Sequence, residues 1–147
     1  MNRDIKFRVW DNFNNRMIQN DRILKISLQK AIIYQRLVVY ANRNIENHTE
    51  IREYDKQYCN DFELMQYTNV KDVNDTEIYE NDIVETTWWN DKEEKYKRVG
   101  TVVMKNGMSL IEFPNENAKY DGQSLYHAVD VKIVGNIYEN KEIIENE

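Results

Sequence analysis

Gly100-Thr101-Val102-Val103-Met104-Lys105-Asn106-Gly107-Met108-Ser109-Leu110-Ile111-Glu112-Phe113 is the stretch on which the fold turns. Asn-Gly between two apolar runs is the strongest short hairpin signal, because both residues accept the positive φ that a two-residue turn demands. Val102, Val103 and Ile111 are β-branched, which favours a pleated, half-buried surface over a helix. The stretch predicts a β-hairpin with strands over 100–104 and 108–113.

Working outward, Ile83-Val84-Glu85-Thr86-Thr87-Trp88-Trp89 is a second β-rich run, followed by a charged loop over 90–98, and residues 129–134 form the last strand. Upstream, Phe62-Glu63-Leu64-Met65-Gln66-Tyr67 leads into a polar connection over 68–76. At the start of the chain Ile5-Lys6-Phe7-Arg8-Val9-Trp10 alternates, with Ile5, Phe7 and Val9 on one face and Lys6, Arg8 and Trp10 on the other. Period two is the mark of a half-buried strand. Asp11-Asn12-Phe13-Asn14-Asn15 is turn chemistry, and Arg16-Met17-Ile18 returns as its hairpin partner. Strands follow over 23–28 and 31–40, a polar loop over 42–49 and a strand over 51–58, while 141–147 reads as a helical turn or tail. Many short strands with few helical signatures predict a small barrel or sandwich.

The chain has 147 residues, which suits one compact domain or two very small ones sharing a core. Ten Tyr, three Trp and four Phe supply ample core material, and four Gly with one Pro exclude collagen-like or linker-rich chains. The one cysteine, Cys59, allows no internal disulfide and no thiolate zinc cage, an expectation that fits a reducing cytosol. No apolar run reaches the roughly 18–20 residues of a membrane span, and the first residues lead into a strand instead of a signal-peptide apolar region. Charge is uneven: residues 1–60 carry +4 and residues 61–147 carry −10. The organisation expected is a basic N-terminal β segment over 1–60 and an acidic C-terminal segment over 61–147, attracting each other as one cooperative unit.

Three stretches, KFRVWDNFNNRMI (residues 6–18), LMQYTNVKDVNDTEIYENDIVE (64–85) and VGNIYENKEII (134–144), together resemble the YopX-like family of small bacteriophage and prophage proteins. Their order and spacing match over nearly the whole chain. The family usually has Gly where this chain has Asn69, Asp75 and Asn81, and Pro near Lys141. Asn and Asp best take a glycine's place at positive φ, so the fold is expected to survive these changes. The resemblance implies a mainly β protein: an SH3-like small β-barrel in the C-terminal half with N-terminal antiparallel strands packed onto it. It also implies an origin in the cytoplasm of a bacterial host, and it transfers no catalytic residues. Shared folds host unrelated functions, so activity must be read from residues.

Those residues offer little enzymatic chemistry. Asp72-Val73-Asn74-Asp75-Thr76-Glu77 has the look of a calcium loop, but Glu77 and Ile83 stand where such a loop needs Gly and Glu. An acid-rich turn in which Asp72 and Asn74 occupy backbone groups is the better reading. Asp82 with Glu93 and Lys95 makes a weak nuclease-like pattern, the basis of a metal-dependent hydrolase as second alternative. His48 and His127 lack metal-pair spacing, Cys59 lacks a neighbour to lower its pKa, and there is no Gly-rich phosphate cradle. No cofactor is expected. Lys6, Arg8 and Trp10, at about 7 Å intervals along a strand face, suggest a nucleic-acid-binding module as first alternative, which the acidic total opposes. The favoured expectation is a non-enzymatic accessory protein working through contact with a host or phage protein, or with itself as a homo-oligomer. Its candidate contact residues are Trp10, Trp88, Trp89, Tyr67 and Tyr79. Trp88 and Trp89 are neighbours on one strand and must point to opposite faces, so only one easily enters the same core.

Overall fold

The structure, a computed structural model, describes residues 4–12, 14–31, 34–41, 62–89, 92–114 and 122–145. Its strands are β1 (Phe7–Asp11), β2 (Arg16–Ile18), β3 (Ile23–Ala31), β4 (Tyr34–Ala41), β5 (Phe62–Lys71), β6 (Glu77–Tyr79), β7 (Asp82–Trp89), β8 (Lys95–Lys105), β9 (Met108–Glu112), β10 (Gln123–Ser124) and β11 (Val129–Asn136). The one helix among the described residues, α1 (Glu142–Glu145), is a single turn, so the protein is mainly β as expected. The loop expected over 42–49, the strand over 51–58, His48 and Cys59 lie outside the described residues.

The chain divides into two compact units, one of Lys6–Met65 and one of Met1–Ile5 with Gln66–Glu147. In the first, β1 and β2 form the predicted hairpin, with Val9 opposite Ile18 and Asp11 opposite Arg16. The Asp11 carboxylate is buried in its turn and accepts the Asn14 backbone N–H, the Asn14 side-chain amide and the Arg16 Nε–H. That explains why an aspartate opens this turn. β3 and β4 make a separate antiparallel pair from Ile23 opposite Ala41 to Ala31 opposite Tyr34.

In the larger unit five antiparallel strands stand in the order β10-β9-β8-β7-β11. Asn106 and Gly107 have φ of 51° and 76°, as the hairpin reading requires, and Lys105 pairs with Met108 across them. One face of this sheet carries the core, in which Ile78, Val84, Val102, Ile111, Leu125 and Val131 are buried together. The β-branched character that marked these segments as strands is also what fills the space between them. β5 ends in this unit, where Tyr67 lies opposite Tyr79 of β6.

The 64–85 stretch owes its shape to two turns. Asp72 is buried, and its Oδ1 accepts the backbone N–H groups of Asn74 and Thr76, while Oδ2 accepts the Asn74 side-chain amide and the backbone N–H of Ile133 on β11. Burial pushes the Asp72 pKa up, but the hydrogen bonds from Thr76, Asn74 and Ile133 outweigh it and hold the carboxyl below its ordinary value. In the second turn, Asn81 donates its backbone N–H to Val102, accepts from Ile137 at its carbonyl, and donates its side-chain amide to the Tyr138 hydroxyl. Asn69, Asp75 and Asn81 all have positive φ, at 64°, 65° and 66°. These are the three positions where the resembled family has Gly.

Two expectations are corrected. The segment 95–98 belongs to β8 instead of a charged loop, because its residues pair across to β7, from Trp89 opposite Lys95 to Thr86 opposite Arg98, and that pairing overrides their polarity. The alternation of β1 fails beyond Phe7: Arg8, Val9, Trp10 and Asp11 are all buried, so both faces of the strand are covered.

Candidate interaction surface

β7 and β8 are longer than their neighbours. β11 begins opposite Thr87, and β9 ends opposite Thr101, so Trp88–Trp89 and the beginning of β8 extend beyond the five-stranded sheet as a two-stranded arm. Antiparallel partners share a face, and alternate residues change face. Trp88 and Tyr96 therefore lie on one side, continuous with the buried Val84 and Thr86, and Trp89 and Lys95 on the other.

The two tryptophans have different surroundings. Trp88 is half-buried and meets Phe113 edge-on, with centroids 6.1 Å apart and planes at 79°. Arg98, opposite Thr86, lays its guanidinium 5.0 Å from the Trp88 ring centroid and 3.7 Å from that of Phe113, a stacked arrangement in which cation and π faces attract. Trp89 is 46% exposed, and it is the outward ring.

The base and tip of the arm are linked on the Trp89 side. Asp130, at φ 52° in a bulge of β11, accepts from the Thr87 hydroxyl at 3.1 Å and from the Lys95 ammonium at 3.3 Å. Lys97 is paired with Glu85 on the same face. Among the described residues the exposed large apolar side chains are Ile5, Val73, Trp89, Tyr96, Met108, Tyr126 and Val129. Four of them belong to this end: Trp89 and Tyr96 on the arm, Val129 opposite Thr87, and Tyr126 in the 3-10 turn Leu125–His127 just before β11. Tyr126 is 81% exposed and meets its neighbour His127 edge-on, with centroids 5.3 Å apart. Apolar side chains gathered at one end of a small protein mark a contact site, whereas scattered ones need no explanation.

The other sequence candidates fall elsewhere. Tyr67 and Tyr79 are buried, with rings 5.5 Å apart, and the Tyr79 hydroxyl donates to Glu77 at 2.8 Å, so they form a packed pair instead of an open aromatic edge. Trp10 and Arg8 are 5% and 8% exposed, so with Lys6 they do not present the solvent-facing row that a nucleic-acid strand requires. Asp82 is buried and accepts the Tyr79 backbone N–H at 2.8 Å, closing the second turn. It opens β7, whereas Lys95 pairs with the last residue of that strand, roughly 23 Å away along seven residues of sheet. Asp82, Glu93 and Lys95 therefore do not converge. Among the described residues no three His, Cys, Asp or Glu side chains are grouped to hold a metal, and no helix is long and apolar enough to cross a membrane. Sequence reasoning missed Tyr96, Tyr126 and Val129, although Tyr96 beside three cations in a segment assigned to a loop was a usable signal.

Comparison with known proteins gives a family and a fold. Residues 6–145 match the family described as YopX protein. A crystal structure of protein EF1440 from Enterococcus faecalis is similar over 97% of this chain and 99% of its own, with a TM-score of 0.59 and 21% identity. No curated protein matches.

Proposed function

The chain belongs to the YopX family, and from that premise we propose that it is a phage-encoded, non-enzymatic accessory protein of the bacterial cytoplasm that works by protein–protein contact through the β7–β8 arm. The observation that carries this reading is the exposure of Trp89 beside a half-buried Trp88. A tryptophan offers up to about 250 Å² of apolar surface, and leaving it in water forgoes burial that a partner supplies. Tryptophan is also among the residues that dominate contact energies when seated centrally in an interface. The larger unit is read as an SH3-like barrel, supported by five antiparallel strands with a 3-10 turn before the last one.

Trp89→Ser and Trp88→Ser test it together. Trp89→Ser weakens self-association in sedimentation, or co-purification of a stoichiometric host protein after nuclease treatment, without moving the melting temperature. Trp88→Ser lowers the melting temperature, because it removes the half-buried ring that meets both Phe113 and Arg98. If Trp89→Ser changes neither association nor capture, the Trp89 ring is not the contact surface.

A further inference from the structure

The arm has a second property besides its exposed ring, which is an edge. β8 pairs with β7 along Lys95–Thr101, but β9 joins its other side only from Thr101 onward. After Glu112 the chain passes Gly100 closely enough that a Cβ there would lie 3.0 Å from the Phe113 ring, and then turns at Pro114. β9 has already ended at Glu112, and Pro114, with no N–H to donate, is poorly suited to resume the ladder. Among the described residues no strand pairs with β8 before Thr101 on that side. A strand with one open edge is a template for an added strand.

The side chains of this edge specify what is added. Lys95 and Lys97 are exposed on one face, and Tyr96 and Arg98 lie on the other. Each lysine ammonium carries three donors, and the structure pairs Lys95 with Asp130 and Lys97 with Glu85, which leaves donors for a second carboxylate. Residues directly opposite on neighbouring strands favour opposite charge and disfavour like charge. We propose that residues 95–99 of β8 bind an extended peptide segment by strand addition, with Asp or Glu at alternate positions opposite Lys95 and Lys97 and an aromatic or aliphatic residue between them opposite Tyr96. A second copy offering the same edge would set cations against cations, so the occupant is an acidic partner. This rests on the arm being the contact surface, and it adds the chemistry of what it contacts.

Selection of peptides of about ten residues from a random display library on the full-length protein is the test, with amide hydrogen exchange to locate the bound peptide. The winners are expected to alternate carboxylates with apolar residues and to slow exchange within residues 95–99. The double variant Lys95→Glu/Lys97→Glu should bind them about tenfold more weakly and should prefer peptides in which Lys replaces each carboxylate. If that variant loses its native circular dichroism, Lys95→Gln/Lys97→Gln supplies the loss of affinity alone. No enrichment, winners without carboxylates, or protection elsewhere overturns the proposal, as does self-association that itself protects residues 95–99. If Trp89→Ser abolishes partner capture while no peptide protects this edge, the contact reading survives and strand addition fails. If peptides protect the edge and Trp89→Ser has no effect, the ring is incidental and the edge remains.

Discussion

The carboxylate of Asp72 accepts the backbone N–H of Ile133, 61 positions further along the chain, at 3.2 Å. One aspartate thus closes its own turn through Asn74 and Thr76 and also holds the unit's last strand.

That double duty makes stability pH-dependent in a definite direction. The folded pKa of Asp72 lies below its ordinary value, so its contribution is fully present above an unfolded pKa of about 3.9 and is lost as pH falls through the folded value. Asp72→Ala should lower the melting temperature at pH 7, leaving the amides of Asn74, Thr76 and Ile133 short of an acceptor at a cost of about 1–3 kcal/mol. Thermal melts at pH 7 and pH 3 provide the check: the difference between wild type and variant should shrink at the lower pH. An unchanged difference would mean that the charge is irrelevant.

Asn81 should tolerate glycine and reject a branched residue. Its φ of 66° costs a β-branched side chain about 1–2 kcal/mol or more, whereas the hydrogen bond to the Tyr138 hydroxyl is lost equally with Gly and Val. Asn81→Gly should lie within about 1 kcal/mol of wild type and Asn81→Val clearly below it in urea denaturation. Two variants of equal stability would show that the positive φ does not matter there.

Gly135 stands where a Cβ would come within 2.6 Å of the Asn140 side-chain oxygen and 2.8 Å of the Asn140 Cβ. Asn140 cannot yield freely, since that oxygen accepts the Asn136 N–H at 3.3 Å while Asn136 accepts from Tyr138 and Glu139. Gly135→Ala should therefore destabilise by about 1–3 kcal/mol, and adding Asn140→Gly should recover part of the loss. Denaturation of the single and double variants measures the recovery, and its absence would place the strain elsewhere.

Much of the fold was legible because turn chemistry and β-branching act locally. Asn106-Gly107 announces its hairpin without help from the rest of the chain, and Asp11 does nearly the same for the first one. The charged segment 95–98 was not legible, since its strand conformation comes from pairing with Trp88 and Trp89, and local polarity points the other way. Burial of Trp10 was hidden for a related reason: a period-two pattern identifies a strand, but it does not say whether both faces are covered. Of the site, the inward–outward split of Trp88 and Trp89 was readable as a necessity of strand geometry. Which ring turned outward was not, because that depends on Phe113 and Arg98, distant in sequence, closing over one of them.

The irregular pairing of β11 also sets where this chain can change length. Val129 is opposite Thr87 and Lys132 opposite Glu85, so two residues, Asp130 and Val131, share the space facing Thr86. Deleting Asp130 leaves Val131 opposite Thr86 and Lys132 opposite Glu85, a regular ladder in which Val131 and Ile133 still face the core. Deleting Lys132 instead would set Asp130 opposite Thr86 and Val131 opposite Glu85, which exchanges the inner and outer faces of those two residues and turns a carboxylate toward the core in place of Val131. A one-residue deletion is therefore absorbed at Asp130, at the expense of the arm's link to Lys95, and is rejected two positions later.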